Sequence, residues 1–364
     1  MFKVLLKILC LAQLCLCPLV LRADEGRYRI GVIIPLSGQV ASLGHYVRRG
    51  VELALRELPP GERQAIEVVF EDDQFDPKKT ISAYNRLSQQ GRLDAVFVIG
   101  SPPANALAPL TERNKQVLIA VGGSDPNIVK DRSYAFVHWV IPPILGLRLV
   151  DELLRRDFKR LAFVCAEATG ALADVNAAIS ALHERGAGGR IVYNEAFAKD
   201  ETDYRAALGA IKTRQADAVV VVLFPGALSS FARQFRQLKL DAELIGMETF
   251  EDEAEVKAAA GALLGTWYVN ASDPTADFVE RYKQAFGEHP GWASANGYDA
   301  LRLTAAGARR GAGDNGMVRD HLAGLKDYHG AAGKYSASGD NRFLLPAALK
   351  RITKDGFVGI AQSD

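Results

Sequence analysis

Short apolar runs recur along the chain, each followed by a loop rich in glycine, proline or aspartate and then by a segment with helical spacing. The run YRIGVIIP (28–35) leads to a helix whose Val47, Val51, Ala54, Leu55 and Leu58 share one face. IEVVFEDD (66–73) is followed by Asp76 and Pro77, an acidic cap with proline at the first helical position. DAVFVIG (94–100) and QVLIAVGG (116–123) continue the series. It restarts with KRLAFVCAE (159–167), RIVYNEAF (190–197), ADAVVVVLF (216–224) and ELIGM (243–247). Strands this uniformly apolar, spaced by helices, predict parallel sheets covered on both faces, and therefore two α/β domains of one design. AFVHWVIPP (135–143) reads as a crossing between them, TWYVNASDP (266–274) as a strand running into a break, and the tail from 330 as turns and short strands. If the late helices return to the first domain and the tail to the second, several strands join the domains and a hinge results.

The opening segment stands apart from this rhythm. Lys3 and Lys7 precede an uncharged apolar stretch from Ile8 to Leu21, and small Ala23 stands before Asp24 and Glu25. This is the pattern of a secretory signal peptide, expected to be cleaved near residue 23; the apolar run falls short of the roughly 20 residues a membrane-spanning helix needs. Removing residues 1–23 takes away Lys3, Lys7 and Arg22 and no acid, so a formal charge of +1 becomes slightly negative. No basic stripe points to nucleic acid or a membrane surface. Cys165 is then the only cysteine, set in an apolar strand, so no disulfide is expected within the chain.

Catalytic and cofactor motifs are missing. GAGDNG (311–316) has the glycine spacing of a dinucleotide fingerprint but follows a helix instead of a strand, and reads as an interhelical loop. GAAGKY (330–335) lacks phosphate-loop spacing, and neither G-x-S-x-G nor H-E-x-x-H occurs. The histidines at 45, 138, 183, 289, 321 and 329 are scattered, and no cysteine pair has metal-ligand spacing. The expectation is a protein without catalytic activity, cofactor or metal.

Candidate ligand contacts come from position instead. Open α/β sheets bind ligands beyond the carboxyl ends of their strands, where loops and helix N-termini offer free N–H groups. The loops so placed include Leu36–Gly38, Asp72-Asp73, Gly100–Asn105, Gly122–Ser124, Ala166–Thr169, Phe224–Gly226 and Met247–Thr249. Gly122 and Gly123 expose backbone and Ser124 adds a hydroxyl, which suits a carboxylate, or the glycines serve a tight turn and Ser124 caps the next helix. Glu248 pairs with an ammonium or merely favours a helix start. Trp139 stacks on a ligand or packs the hinge, and Ser101 and Thr169 are weaker polar candidates.

YRIGVIIPLSGQVASLGHYVRRGVELALREL resembles the opening of the type I periplasmic binding proteins of the leucine/isoleucine/valine-binding family. The resemblance continues in order through VFEDDQFDPKKTISAYNRL, VFVIGSPPANALAP, VLIAVGGSDP, LIGMETF, ANGYDALRLTAAGA and YSASGDNRF. It implies two Rossmann-like lobes with parallel central sheets and a three-segment hinge, lobe 1 from 24–140 plus 271–330 and lobe 2 from 141–270 plus 331–364. It also implies a periplasmic monomer that binds an amino acid or related small carboxylate or amide and delivers it to an inner-membrane ABC permease; a periplasmic sensor docking on a receptor is the alternative. By position Gly122 and Ser124 match the family's contacts to an amino acid, and Glu248 matches its ammonium-holding acid. Three places depart from the pattern: Ala104 stands near a carboxylate-binding hydroxyl, Thr169-Gly170 replaces an aromatic-glycine pair, and Phe224-Pro225-Gly226 replaces a tyrosine.

Overall fold

The structure, a computed structural model, describes residues 26–361, so the leader expected at 1–23 lies outside the described residues. Among the described residues no helix is long and apolar enough to cross a membrane. The first lobe starts with β1 (Tyr28–Ile34), α1 (Ala41–Glu57), α2 (Pro60–Gln64), β2 (Ile66–Asp72) and α3 (Pro77–Gln89). It continues with β3 (Ala95–Ile99), α4 (Ser101–Arg113), β4 (Val117–Val121) and β5 (Ala135–His138). These strands pair in parallel in the order β2-β1-β3-β4-β5, and β1, β3, β4 and β5 are buried throughout because helices cover both faces. Local chemistry agrees with the global plan: α3 begins where the Asp76 carboxylate accepts the backbone N–H groups of Lys78 and Lys79, with Pro77 at the first helical position.

The second lobe follows with α5 (Pro142–Arg155), β6 (Leu161–Ala166), α6 (Thr169–Glu184), β7 (Ile191–Phe197), α7 (Arg205–Thr213) and β8 (Ala218–Val222). Next come α8 (Ala227–Gln237), β9 (Glu243–Met247), α9 (Glu253–Ala258) and β10 (Trp267–Ala271). The chain then forms α10 (Ala276–Phe286), α11 (Ser294–Arg310), α12 (Asn315–Ala323), the hairpin β11 (Tyr328–Gly330) and β12 (Gly333–Tyr335), and finally β13 (Ala347–Thr353) and β14 (Gly356–Gly359). Strand order in the second sheet is β14-β13-β10-β9-β8-β6-β7. Its edge is not parallel: β13 runs antiparallel to β10 and β14 antiparallel to β13. Between β13 and β14 only Lys354 and Asp355 intervene, and a strand joined by so short a connection returns beside its neighbour in the opposite direction.

The late helices go back to the first lobe. There α11 lies along α1 so closely that a Cβ on Gly50 would run into the Ser294 carbonyl. Backbone cannot retreat as a side-chain tip can. Gly50→Ala should therefore destabilise the protein by about 1–3 kcal/mol, outweighing the helix preference of alanine. The measurement is a urea midpoint that falls at constant slope; an unchanged midpoint would mean that the two helices part freely.

Where the chain crosses between lobes, a buried polar chain fixes the connections. His138 is fully buried at the end of β5, with Nε2 2.8 Å from the Tyr335 hydroxyl and Nδ1 3.0 Å from Asn296 Nδ2. Tyr335 donates onward to Asp299, 2.9 Å away, which also accepts the N–H groups of Ala331 and Ala332. Since the tyrosine proton is committed to Asp299, Nε2 of His138 is the protonated nitrogen and Nδ1 the acceptor. Burial holds this imidazole neutral, its pKa depressed to about 3. The network ties the first crossing to the hairpin and to α11.

Candidate functional site

The carboxyl ends of both sheets face each other across one small cavity of about 30 Å³. Its first-lobe wall is Phe75, Gly100 to Pro102, Gly122 and Ser124; its second-lobe wall is Gly170, Val222 to Phe224, Glu248 and Thr249; Trp292, just before α11, closes one side. A larger groove of about 1240 Å³ opens at the amino ends of β1 and β2, beside Tyr28 and Ile66. That is the end of an open α/β sheet where ligands are not held. The lobes meet through side chains: Ser124 to Glu248, Ser42 Oγ donating to Asp252 at 2.6 Å, and Phe75 edge-on to Phe224 with ring centroids 5.3 Å apart.

The glycine-rich loop after β4 turns out to need glycine for two reasons at once. Gly122 has φ +66°, a left-handed conformation, and a Cβ there would strike the Trp292 ring. The neighbouring hydroxyl is not a helix cap: Ser124 Oγ donates to Glu248 Oε1 at 2.6 Å, while Asp125 takes the capping role by accepting the Asn127 N–H. Ser101 organises this loop from below, its Oγ accepting the N–H groups of Ser124 at 2.9 Å and Asp125 at 3.0 Å.

Glu248 is the meeting point of the site. Its Oε1 accepts the Ser124 hydroxyl and the Trp139 indole N–H, each at 2.6 Å, from the other lobe and from the crossing. The backbone is held in an unusual shape to allow this, with φ +46° at a residue that is not glycine. Such a conformation persists where surroundings over-determine it. Here the Glu248 N–H donates to the Val269 carbonyl and its own carbonyl accepts from Asn270 Nδ2, so β10 clamps the turn. Asn270, the first residue of an N-x-S pattern, is wholly buried in this clamp.

The remaining sequence candidates divide. Trp139 is buried, bonded to Glu248 and packed against Trp292, with ring centroids 4.9 Å apart. Thr169 opens α6 at the lobe boundary, its Oγ1 3.3 Å from Asn105 Nδ2. Ala104 is wholly buried on α4 and does not line the cavity.

Three contributors escaped the sequence reading: Trp292, Phe75 and, most of all, Asp174. Asp174 is fully buried on α6, one turn beyond Gly170, beside Glu248 and Ser124, yet neither of its oxygens makes a hydrogen bond. Its signal was present as an acid on the otherwise apolar stripe Ala171, Val175 and Ala178. Burial, reinforced by the neighbouring Glu248 charge, pushes the Asp174 carboxyl well above the usual carboxylate range. Burial also raises Glu248, against the opposing pull of Ser124, Trp139 and Asp174. The proton of the pair therefore belongs on Asp174, whose carboxyl the Glu248 charge raises further.

Cys165 is buried in β6, where burial raises its thiol to about 11, and among the described residues no cluster of His, Cys, Asp or Glu could hold a metal ion. The arrangement is a two-walled pocket that hydrogen bonds assemble across the lobes.

Comparison with known proteins agrees with this architecture. Residues 27–356 match the family model described as periplasmic binding protein. The chain is similar to the Leu/Ile/Val-binding protein BraC3 of Rhizobium johnstonii, 26% identical over 258 residues and covering 68% of each chain. Its fold is similar to that of the leucine-binding protein LivK of Thermotoga maritima, with a TM-score of 0.86 at 21% identity, covering 92% of this chain and 98% of that one. A solute-binding protein of an ABC transporter from R. palustris, in complex with benzoate, is similar at a TM-score of 0.82 and 21% identity, covering 92% and 96%.

Proposed function

The chain belongs to the periplasmic binding protein family, of the leucine/isoleucine/valine-binding type, and on that premise we propose that it captures a small solute between its lobes for an ABC importer. Its relatives and fold neighbours are binding proteins, not enzymes. The observation that carries the reading is the Ser124–Glu248 hydrogen bond, a first-lobe hydroxyl meeting a second-lobe carboxylate inside the cavity. In this reading lobe 1 comprises 24–140 plus 271–330, and lobe 2 comprises 141–270 plus 331–364. The hairpin β11–β12 straddles the boundary at 330, anchored to α11 through Asp299.

The physics of such a device is differential contact. With the lobes together the cavity has room for about one water, so a solute enters only when they part. A bound solute then favours closure because both walls bond to it only when they face each other. In this reading Glu248, which takes its donors from the opposite lobe and the crossing, holds the amino group of such a solute. Gly122, Ser124 and Ser101 form the facing wall, and Trp139 and Thr169 border it. Release into the periplasm after cleavage of the leader, action as a monomer and delivery to an inner-membrane permease complete the proposal.

A thermal-shift screen of amino acids, amides and aromatic acids tests it. A solute present at about a hundredfold its Kd adds about 2.7 kcal/mol of apparent stability, a shift of several degrees. If no compound shifts the melting curve and mass spectrometry finds no small molecule carried through purification, the reading fails.

A further inference from the structure

Not every contact between the lobes belongs to the cavity. At the corner between β1 and α1, Ser42 Oγ donates to Asp252 Oδ2 at 2.6 Å, from the first lobe to the second. Leu43 beside it lines the cavity, but neither Ser42 nor Asp252 does. Gln39, on the same corner, lies over Gly226 so closely that a Cβ there would strike its amide nitrogen. One turn further along α1, the Tyr46 hydroxyl sits beside the Glu253 backbone.

The surface that receives this corner is built within the second lobe alone. Asp252 caps α9, its Oδ1 accepting the Ala254 N–H at 2.9 Å, and this leaves Oδ2 for the other lobe. From the same short helix, buried Glu255 accepts the N–H groups of Gly226 and Ser229 and so fixes the loop under Gln39. Ser42 Oγ has no second hydrogen-bond partner among the described residues, and α1 draws no cap from it. The hydroxyl therefore has one task, which is to reach across.

A solute needs room between the walls, so contacts made across the cavity, Ser124 to Glu248 and Phe75 to Phe224, are those it must share or replace. The Ser42–Asp252 contact lies to one side and is the same whatever the cavity holds. Resting on the solute-binding reading above, we propose that Ser42 and Asp252 form a latch, positioning residues that favour the closed arrangement from outside the cavity and so act on every solute by one common factor. Cavity residues select among solutes, and the latch shifts the equilibrium between parted and closed lobes for all of them. A hydrogen bond to a carboxylate is worth about tenfold in such an equilibrium.

Ser42→Ala removes the hydroxyl and leaves α1 and the Asp252 cap intact. Small-angle scattering of the solute-free protein reports how far the lobes rest apart, and calorimetry with isoleucine, phenylalanine and benzoate reports affinity. Where the wild-type lobes rest closed, the variant should show a larger radius of gyration. Where they rest open, its affinity for each probe that binds the wild type should fall by the same factor, about tenfold. A radius and affinities that all match the wild type overturn the latch and leave the solute-binding reading intact. Losses that reorder the probes also overturn it, because Ser42 would then act inside the cavity. If no probe binds the wild type, the radius alone decides, an unchanged value overturning the latch. Mass spectrometry of small molecules released on denaturation then judges the solute-binding reading separately.

Discussion

Gly122→Ala should remove most solute binding while leaving the protein folded. The position combines two demands that only glycine meets: φ of +66° and contact between its backbone and the Trp292 ring. An alanine there costs about 1–2 kcal/mol for the left-handed backbone, and its methyl must displace an indole that lines the cavity and packs on Trp139. Displacing a packed ring costs about 1–3 kcal/mol more. The ring can retreat only by disturbing Trp139, whose N–H holds Glu248, or by filling a cavity that is already small. Both routes act on the pocket, and the sheets below are untouched. Calorimetry should therefore show affinity down by about thirtyfold or more, the equivalent of 2 kcal/mol, with a cooperative melt only a few degrees lower. Wild-type affinity in this variant would show that the glycine serves the turn alone.

The layered plan was legible because burial on both faces makes strands apolar throughout. The strand predicted at 66–73 is found at Ile66–Asp72 and the one at 243–247 at Glu243–Met247. Period alone could not tell that the final strands reverse direction, since β13 alternates exposure only weakly and direction depends on the connection. The site was legible where a strand-end rule applies: Gly122, Ser124, Ser101 and Glu248 all border the cavity. The rule says nothing about residues that reach the same place by another path. Trp292 arrives from a loop before α11, far along the chain, and Asp174 meets Glu248 from within a helix, behind the cavity wall. Nor does it assign a hydroxyl between neighbours, so Ser124 read as a possible cap until Asp125 was seen in that role. Ala104 failed for the opposite reason: sequence position placed it near the cavity, but helical geometry turned it into the core.

Glu248→Gln should separate the two tasks of the carboxylate. Glutamine keeps the shape and an oxygen to accept from Ser124 and Trp139, so the cross-lobe contact survives while the charge is lost. A cationic group in the cleft would lose about 2–5 kcal/mol of binding, the range for truncating one side of a buried charge pair. Stability without solute should move the other way, because the variant buries one acid instead of two. The pH dependence gives the sign. Burial raises both carboxyls above their ordinary values, Asp174 further through the charge of Glu248. Groups whose proton affinity is raised by folding stabilise the folded protein fully below the ordinary carboxylate range near pH 4, and that contribution is lost as pH rises through the raised values. Wild-type stability should thus fall from about pH 4 toward neutrality more steeply than that of Glu248→Gln, whereas affinity for a cation should climb over the same window as the pair gives up its proton. Melting curves across that range test the first statement and calorimetry the second. Parallel pH profiles in wild type and variant would mean that the pair is already neutralised within the protein, and that no solute cation is needed to complete it.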